Sequence, residues 1–280
     1  MRTKRTRSHV LVAAVVSLLL ASAWPTLAGA THQWNNFHWT REANPLVLGV
    51  GDNLDSTWSD YLTTAVSDWS QHPELVVITI DKGSSASPEC VPVTGTVQAC
   101  NGEYGPIGWL GLASVWNASG HIAMGILQLN DTYFNQPAYD TPEWRNLVMC
   151  QELAHTFGLG HQDEGHTNPN LGSCMDYSDN PAGPPTNEHP NQHDWDQLNE
   201  IYEHVDTAQA FAAVAAQTTA LNAVNVPAAQ IAFPEVGGTA EFAATGAGGI
   251  SVNTFVILAD EEVLERGAAT AATPVSTPES

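Results

Sequence analysis

Positive charge is the scarcest property of this 280-residue chain: eight lysines and arginines stand against 30 aspartates and glutamates. Half of the eight, Arg2, Lys4, Arg5 and Arg7, are crowded into the start. They precede an apolar stretch, Val10 to Leu20, and the small residues Ala28, Gly29 and Ala30. That order reads as a cleaved secretory signal peptide over residues 1–30. The apolar stretch is shorter than the roughly 20 residues a bilayer span takes, and no later run is long enough. Cleavage leaves Arg41, Lys82, Arg145 and Arg266 against all 30 acidic residues, a net charge of −26. Such a surface repels phosphate backbones and anionic lipid headgroups, which argues against nucleic-acid and membrane-surface binding.

Cysteine is scarce as well, with only Cys90, Cys100, Cys150 and Cys174. An even number behind an export signal favours two disulfides. Tryptophan, by contrast, is abundant, and eight of the nine lie beyond the leader. A folded core is expected, not a disordered chain.

From Leu46 the pattern alternates between strand and helix. "PLVLGVGDN" reads as a short buried strand, and "DSTWSDYLTTAVSDWSQ" carries Trp58, Leu62, Ala65, Val66 and Trp69 at helical spacing. "ELVVITI" reads as a central strand because it is β-branched and apolar. Residues 83–105 read as a Gly/Pro/Ser-rich loop that Cys90 and Cys100 close. "GWLGLASVWN" and "HIAMGILQLN" are two further strands. "TPEWRNLVMCQELAHTFGL" opens a helix with Pro142 in its first turn and Glu143 after it. Residues 165–194 are a long loop, and "DWDQLNEIYEHV" returns to helix. Beyond Val205 the composition shifts to Ala, Thr, Val and Gly. There "AQAFAAVAAQTTALNAV" suits a helix and "GGISVNTFVILA" a strand, and the Thr/Pro/Ser-rich end reads as disordered. This last quarter carries no chemical signal.

The chemistry concentrates in "CQELAHTFGLGHQDE", residues 150–164. Residues 151 and 155 lie four apart, so on a helix they share a face and can grip one ion. Glu152 leans over that face from the side. Gly158 can take the left-handed conformation that ends a helix, bringing His161 back as a third ligand. A zinc ion with three protein ligands and an open position lowers the pKa of its bound water to about 7. A neighbouring carboxylate then serves as general base.

These residues resemble the metzincin zinc metalloproteases, whose motif is His-Glu-x-x-His-x-x-Gly-x-x-His followed by a methionine turn. Glu152, His155, Gly158 and His161 match, and Gln151 stands at the first ligand position. "SCMDYS" matches the methionine turn, with Met175 beneath the metal and Tyr177 two residues on. The likeness is greatest to the small matrixin-like and snapalysin-like secreted bacterial enzymes, over about residues 40–205. It implies an α+β fold with a twisted, mixed and mostly parallel sheet, an active-site helix and a C-terminal helix. It further implies a domain over residues 31–205, with 206–280 as an extension. By the same likeness, "HIAMGILQLN" would be the edge strand above the cleft, where a substrate adds as a strand.

The implied activity is zinc-dependent hydrolysis of internal peptide bonds by a secreted monomer acting on a protein or peptide. Glu152 is the base, Tyr177 steadies the oxyanion, and His155, His161 and Gln151 hold the metal. Because the methionine turn packs beneath the motif helix in that fold, a Cys150–Cys174 disulfide is implied. A glutamine oxygen is a weaker zinc partner than imidazole; on a scale of roughly 10–16 kcal/mol for four ligands, its substitution weakens zinc by about a hundredfold. His166, Asp163, Glu164, His189 and His193 are possible replacements. The alternative is an inactive zinc-binding scaffold or an extracellular protein-binding module. Asp163, Glu164, Asp176 and Asp179 could hold calcium but read as a solvated loop. His32, His38, His72 and His121 read as ordinary surface or core histidines.

Overall fold

In the computed structural model, residues 31–84, 89–221, 242–245, 251–260 and 263–266 are described. The leader at residues 1–30 and the Thr/Pro/Ser-rich end from residue 267 lie outside them. Alternate burial of Leu46, Leu48 and Val50 marks β1 (Leu46–Asn53) as a strand with one face in the core. Next comes α1 (Ser59–Trp69), which buries Leu62, Ala65 and Trp69, three residues at helical spacing. β2 (Val76–Lys82), β3 (Thr96–Gly102), β4 (Trp109–Ala118) and β5 (His121–Asn130) follow. A short α2 (Asp131–Phe134) leads to α3 (Pro142–His155), and α4 (Gln192–Ile201), α5 (Ala208–Leu221), β6 (Phe242–Thr245) and β7 (Ser251–Leu258) complete the order.

Among the described residues, the strands form one seven-stranded sheet in the order β2-β1-β3-β5-β4-β7-β6. β1 pairs parallel with β2 and β3, and β3 pairs parallel with β5; the β4–β5, β4–β7 and β6–β7 pairs are antiparallel. This is an α+β fold with an evenly mixed sheet, where a mostly parallel one was expected. The difference comes from the last quarter of the chain, which adds two antiparallel pairs.

Three local expectations are corrected. Residues 83–105 are not all loop: Thr96–Gly102 is β3, which buries Val97, Ala99 and Cys100 together with the polar Gln98 and Asn101. "ELVVITI" supplies an edge strand, since β2 has β1 on one side only, and Ile80 is exposed. "HIAMGILQLN" is β5 and lies inside the sheet between β3 and β4. Its near-continuous burial fits an interior position better than an edge.

Helices cover the centre of the sheet. α3 packs on β4 and β5, and α1 packs on α3. Close approach is possible because Gly111 on β4 lies under α3; a Cβ there would run into Val148 Cγ1 and into Glu152. On the opposite face Trp116, Met124, Ile126 and Val252 form a smaller cluster with Val214 of α5 and the Cys90–Cys100 disulfide. Among the described residues, no helix is long and apolar enough to cross a membrane.

Candidate metal centre

α3 starts where the sequence places it. Thr141 caps its N-terminus by accepting from the Trp144 N–H, and Pro142 occupies the first turn. The helix ends at His155, and Gly158 then adopts φ +106°. A side chain at 158 would also collide with the Phe37 carbonyl, so glycine is needed twice over. The reversal carries the chain through Leu159, bridged to Gln33, and delivers His161 beside His155.

The two imidazoles converge. His155 Nε2 and His161 Nε2 are 2.9 Å apart. His155 Nδ1 faces the Leu159 carbonyl at 2.8 Å, and His161 Nδ1 faces Glu164 Oε1 at 3.3 Å. Each Nδ1 N–H is thereby held by an acceptor, the arrangement that orients metal-bound histidines. Both Nε2 lone pairs then face one another, which is unfavourable unless a proton or cation lies between them. Tyr177 OH is 3.1 Å from His161 Nε2, and its ring is stacked on His166 at 5.0 Å.

The remaining members are buried. Gln151 Nε2 donates to the Cys174 carbonyl at 2.9 Å, while its Oε1 has no hydrogen-bond partner. Neither oxygen of Glu152 completes a hydrogen bond, although the Ile257 N–H approaches closely enough to ease its burial slightly. Burial pushes the Glu152 carboxyl well above its ordinary range. It pushes His155 well down, helped by neighbouring His161, and His161 down against the opposing pull of Glu164. Tyr177 is raised, again chiefly by burial. Both histidines are therefore held neutral, as ligands must be. The two converging nitrogens fit a shared cation. Glu152, turned toward Gly111 and the Ile257 N–H, does not complete a set of three ligand atoms with them. It and Gln151 Oε1 remain buried acceptors without a hydrogen-bond partner.

The floor is fixed by the Cys150–Cys174 disulfide, with a Cα–Cα distance of 5.9 Å, and Met175 lies fully buried next to it. The four cysteines thus form the two expected pairs. The roof was not foreseen. β7 pairs antiparallel with β4, and Phe255 sets its ring 4.4 Å from that of His155, 4.7 Å from His161 and 4.3 Å from Trp34. The quarter of the chain read as carrying no chemical signal therefore closes the centre from solvent.

Of the proposed replacement ligands, Glu164 reaches His161, but at Nδ1 and not at the converging Nε2 atoms. His189 pairs with Asp68, and Asp163 accepts from Gly165 and Asn168. Of the acidic loop considered for calcium, Asp176 accepts from Leu171 and Asn187, and Asp179 pairs with Arg266. Two histidine groups escaped the sequence reading. His32, His193 and Asp194 meet near the start of α4, with His32 stacked on His193 at 4.8 Å; His38, His121 and Asp206 meet elsewhere. Each draws on segments far apart in the chain, so no spacing announces it. No protein-family model matches this sequence, and comparison with curated proteins finds no significant match.

Proposed function

We propose that this chain is a secreted zinc-dependent endopeptidase of metzincin type whose cleft is closed at rest by its own C-terminal strand. The observation that carries the reading is the convergence of His155 and His161 Nε2 at 2.9 Å, with buried Glu152 on the same helix. His155 and His161 would hold the metal, with Gln151 Oε1, four residues before His155 on the same helical face, as third ligand. Bound zinc would supply a Lewis acid that brings the pKa of a water toward 7, about nine units below bulk. Glu152 takes the proton from the attacking water and returns it to the leaving amine. Its raised pKa suits the second task, and the loss of β7 cover would ease it toward the first. The Tyr177 hydroxyl, 3.1 Å from His161 Nε2, would donate to the developing oxyanion.

An extended peptide would add to the β4 edge by strand pairing. β7 holds that edge from Trp109 to Asn117, so substrate and β7 compete for the same backbone groups. The two disulfides and the acidic composition support an extracellular site of action. The Phe255 seal also favours a second reading, an inactive metal-binding scaffold. The deciding experiment measures zinc content and casein cleavage for the exported protein and Glu152→Gln, each with and without Phe255→Ala to loosen β7. Cleavage that needs Glu152 supports the peptidase. Stoichiometric zinc with no Glu152-dependent cleavage in either background leaves the scaffold.

A further inference from the structure

Four side chains that play no part in the centre above meet at the rim of the sheet. His38 comes from the segment before β1, His121 begins β5, and His204 and Asp206 follow α4. Asp206 Oδ1 lies 2.9 Å from His121 Nε2, 3.6 Å from His38 Nε2 and 3.7 Å from His204 Nε2. The His38 and His204 Nε2 atoms are 3.2 Å apart. Tetrahedral zinc with bonds of about 2.0–2.1 Å sets its ligand atoms roughly 3.3–3.4 Å from each other. These four separations straddle that length. The ligand atoms of His38, His121 and Asp206 all lie within 4.8 Å of one another, and His204 joins them from the Asp206 and His38 side, outside that mutually close set.

Proton counting points the same way. His121 Nδ1 faces the Ser119 carbonyl at 3.0 Å while its Nε2 faces Asp206 Oδ1. A neutral ring has one N–H and serves only one of these acceptors. His38 Nδ1 faces the Asn36 carbonyl at 2.9 Å, which leaves its Nε2 as a lone pair turned toward His204. A cation among the four removes the His121 conflict and takes up the His38 lone pair; an added proton on His121, with the His204 Nε2 N–H donating to His38, is the competing explanation.

The frame is also prepared. Asp206 Oδ2 accepts from the Arg41 backbone N–H at 2.9 Å, and an Arg41 guanidinium N–H donates to the His204 carbonyl at 2.6 Å. The carboxylate is thus aimed before anything binds, the role that outer partners play at metal sites. The His38, His121 and Asp206 side chains are at most 14 % exposed, whereas His204 is 49 % exposed and gives the site an open side.

We propose that His38, His121, His204 and Asp206 bind a divalent cation of the zinc class in a closed, four-ligand structural site. Three imidazoles and a carboxylate suit zinc over calcium or magnesium, and four protein ligands leave no position for substrate. The site would clip the N-terminal segment and the chain after α4 to the β4–β5 hairpin. It shares no residue with the catalytic proposal and stands whether or not that one does.

The test uses the full chain with His155→Ala and His161→Ala, stripped of metal, supplied with zinc, desalted and measured by elemental mass spectrometry. One retained equivalent is expected, with its affinity falling by about a hundredfold or more on a further His204→Asn. Zinc-free protein that is folded by circular dichroism overturns the proposal, as does retention unaffected by both His204→Asn and His38→Asn. If the double variant does not fold, the wild type replaces it. Its zinc content must then drop by one equivalent on His204→Asn, and an unchanged content overturns the proposal.

Discussion

Phe255→Ala is the perturbation that separates a closed enzyme from a rigid seal. Phe255 is 8 % exposed and packs on Trp34, His155 and His161. Truncating a buried phenylalanine costs about 3–5 kcal/mol. β7 is held on one side by β4 and on the other by the short β6, so the loss falls mainly on local opening of β7. Each 1.4 kcal/mol is about tenfold, which raises the open fraction of the strand by roughly two to three and a half orders of magnitude. Hydrogen exchange read by mass spectrometry should accelerate by that factor in β7 and in its β4 partners, Trp109–Asn117. β1 and β2, at the other end of the sheet, should be unaffected. Cleavage of a quenched peptide at low concentration should rise with the open fraction, because apparent affinity scales with the competent population. Two results would refute the reasoning: acceleration spread evenly over the whole sheet, or selective opening of β7 at intact zinc content with no gain in cleavage.

Other consequences follow from single contacts. Gln151→His supplies an imidazole in place of the amide and should tighten zinc by about a hundredfold in competition with a chromophoric chelator; equal or weaker binding means position 151 is not a ligand. Removing both Cys150 and Cys174 opens a loop with a sequence separation of 24 and should lower stability by about 2–4 kcal/mol in urea. A loss indistinguishable from zero would show that the floor does not depend on the bridge. Gly158→Ala forces an alanine to φ +106° against the Phe37 carbonyl and should cost at least about 1–2 kcal/mol, read by thermal unfolding. Wild-type stability would place the helix reversal elsewhere.

Legibility from sequence follows the range of the interaction concerned. The α3 start, its end at His155 and the Gly158 reversal are set by neighbours within a few positions, and the spacing of Gln151, Glu152, His155 and His161 exposes the centre directly. "GGISVNTFVILA" reads as a strand for the same local reason. Its partner does not, because nothing in Ser251–Leu258 states that it adds to β4 rather than to another edge. The same gap explains why β5 looks like an edge strand and proves interior. β3 is missed because glycine, proline and serine crowd the approach to it and two of its five buried residues, Gln98 and Asn101, are polar. The His38, His121, His204 and Asp206 cluster is the extreme case, drawn from three segments more than 80 residues apart with no motif to join them.

The central claim is that His155 and His161 grip one ion, and the most direct test is anomalous diffraction at the zinc edge from crystals grown with zinc. The account predicts a peak about 2.0–2.1 Å from both Nε2 atoms, beside Gln151 Oε1 and Glu152. Crystals that bind zinc elsewhere while His155 and His161 share only a proton would contradict it.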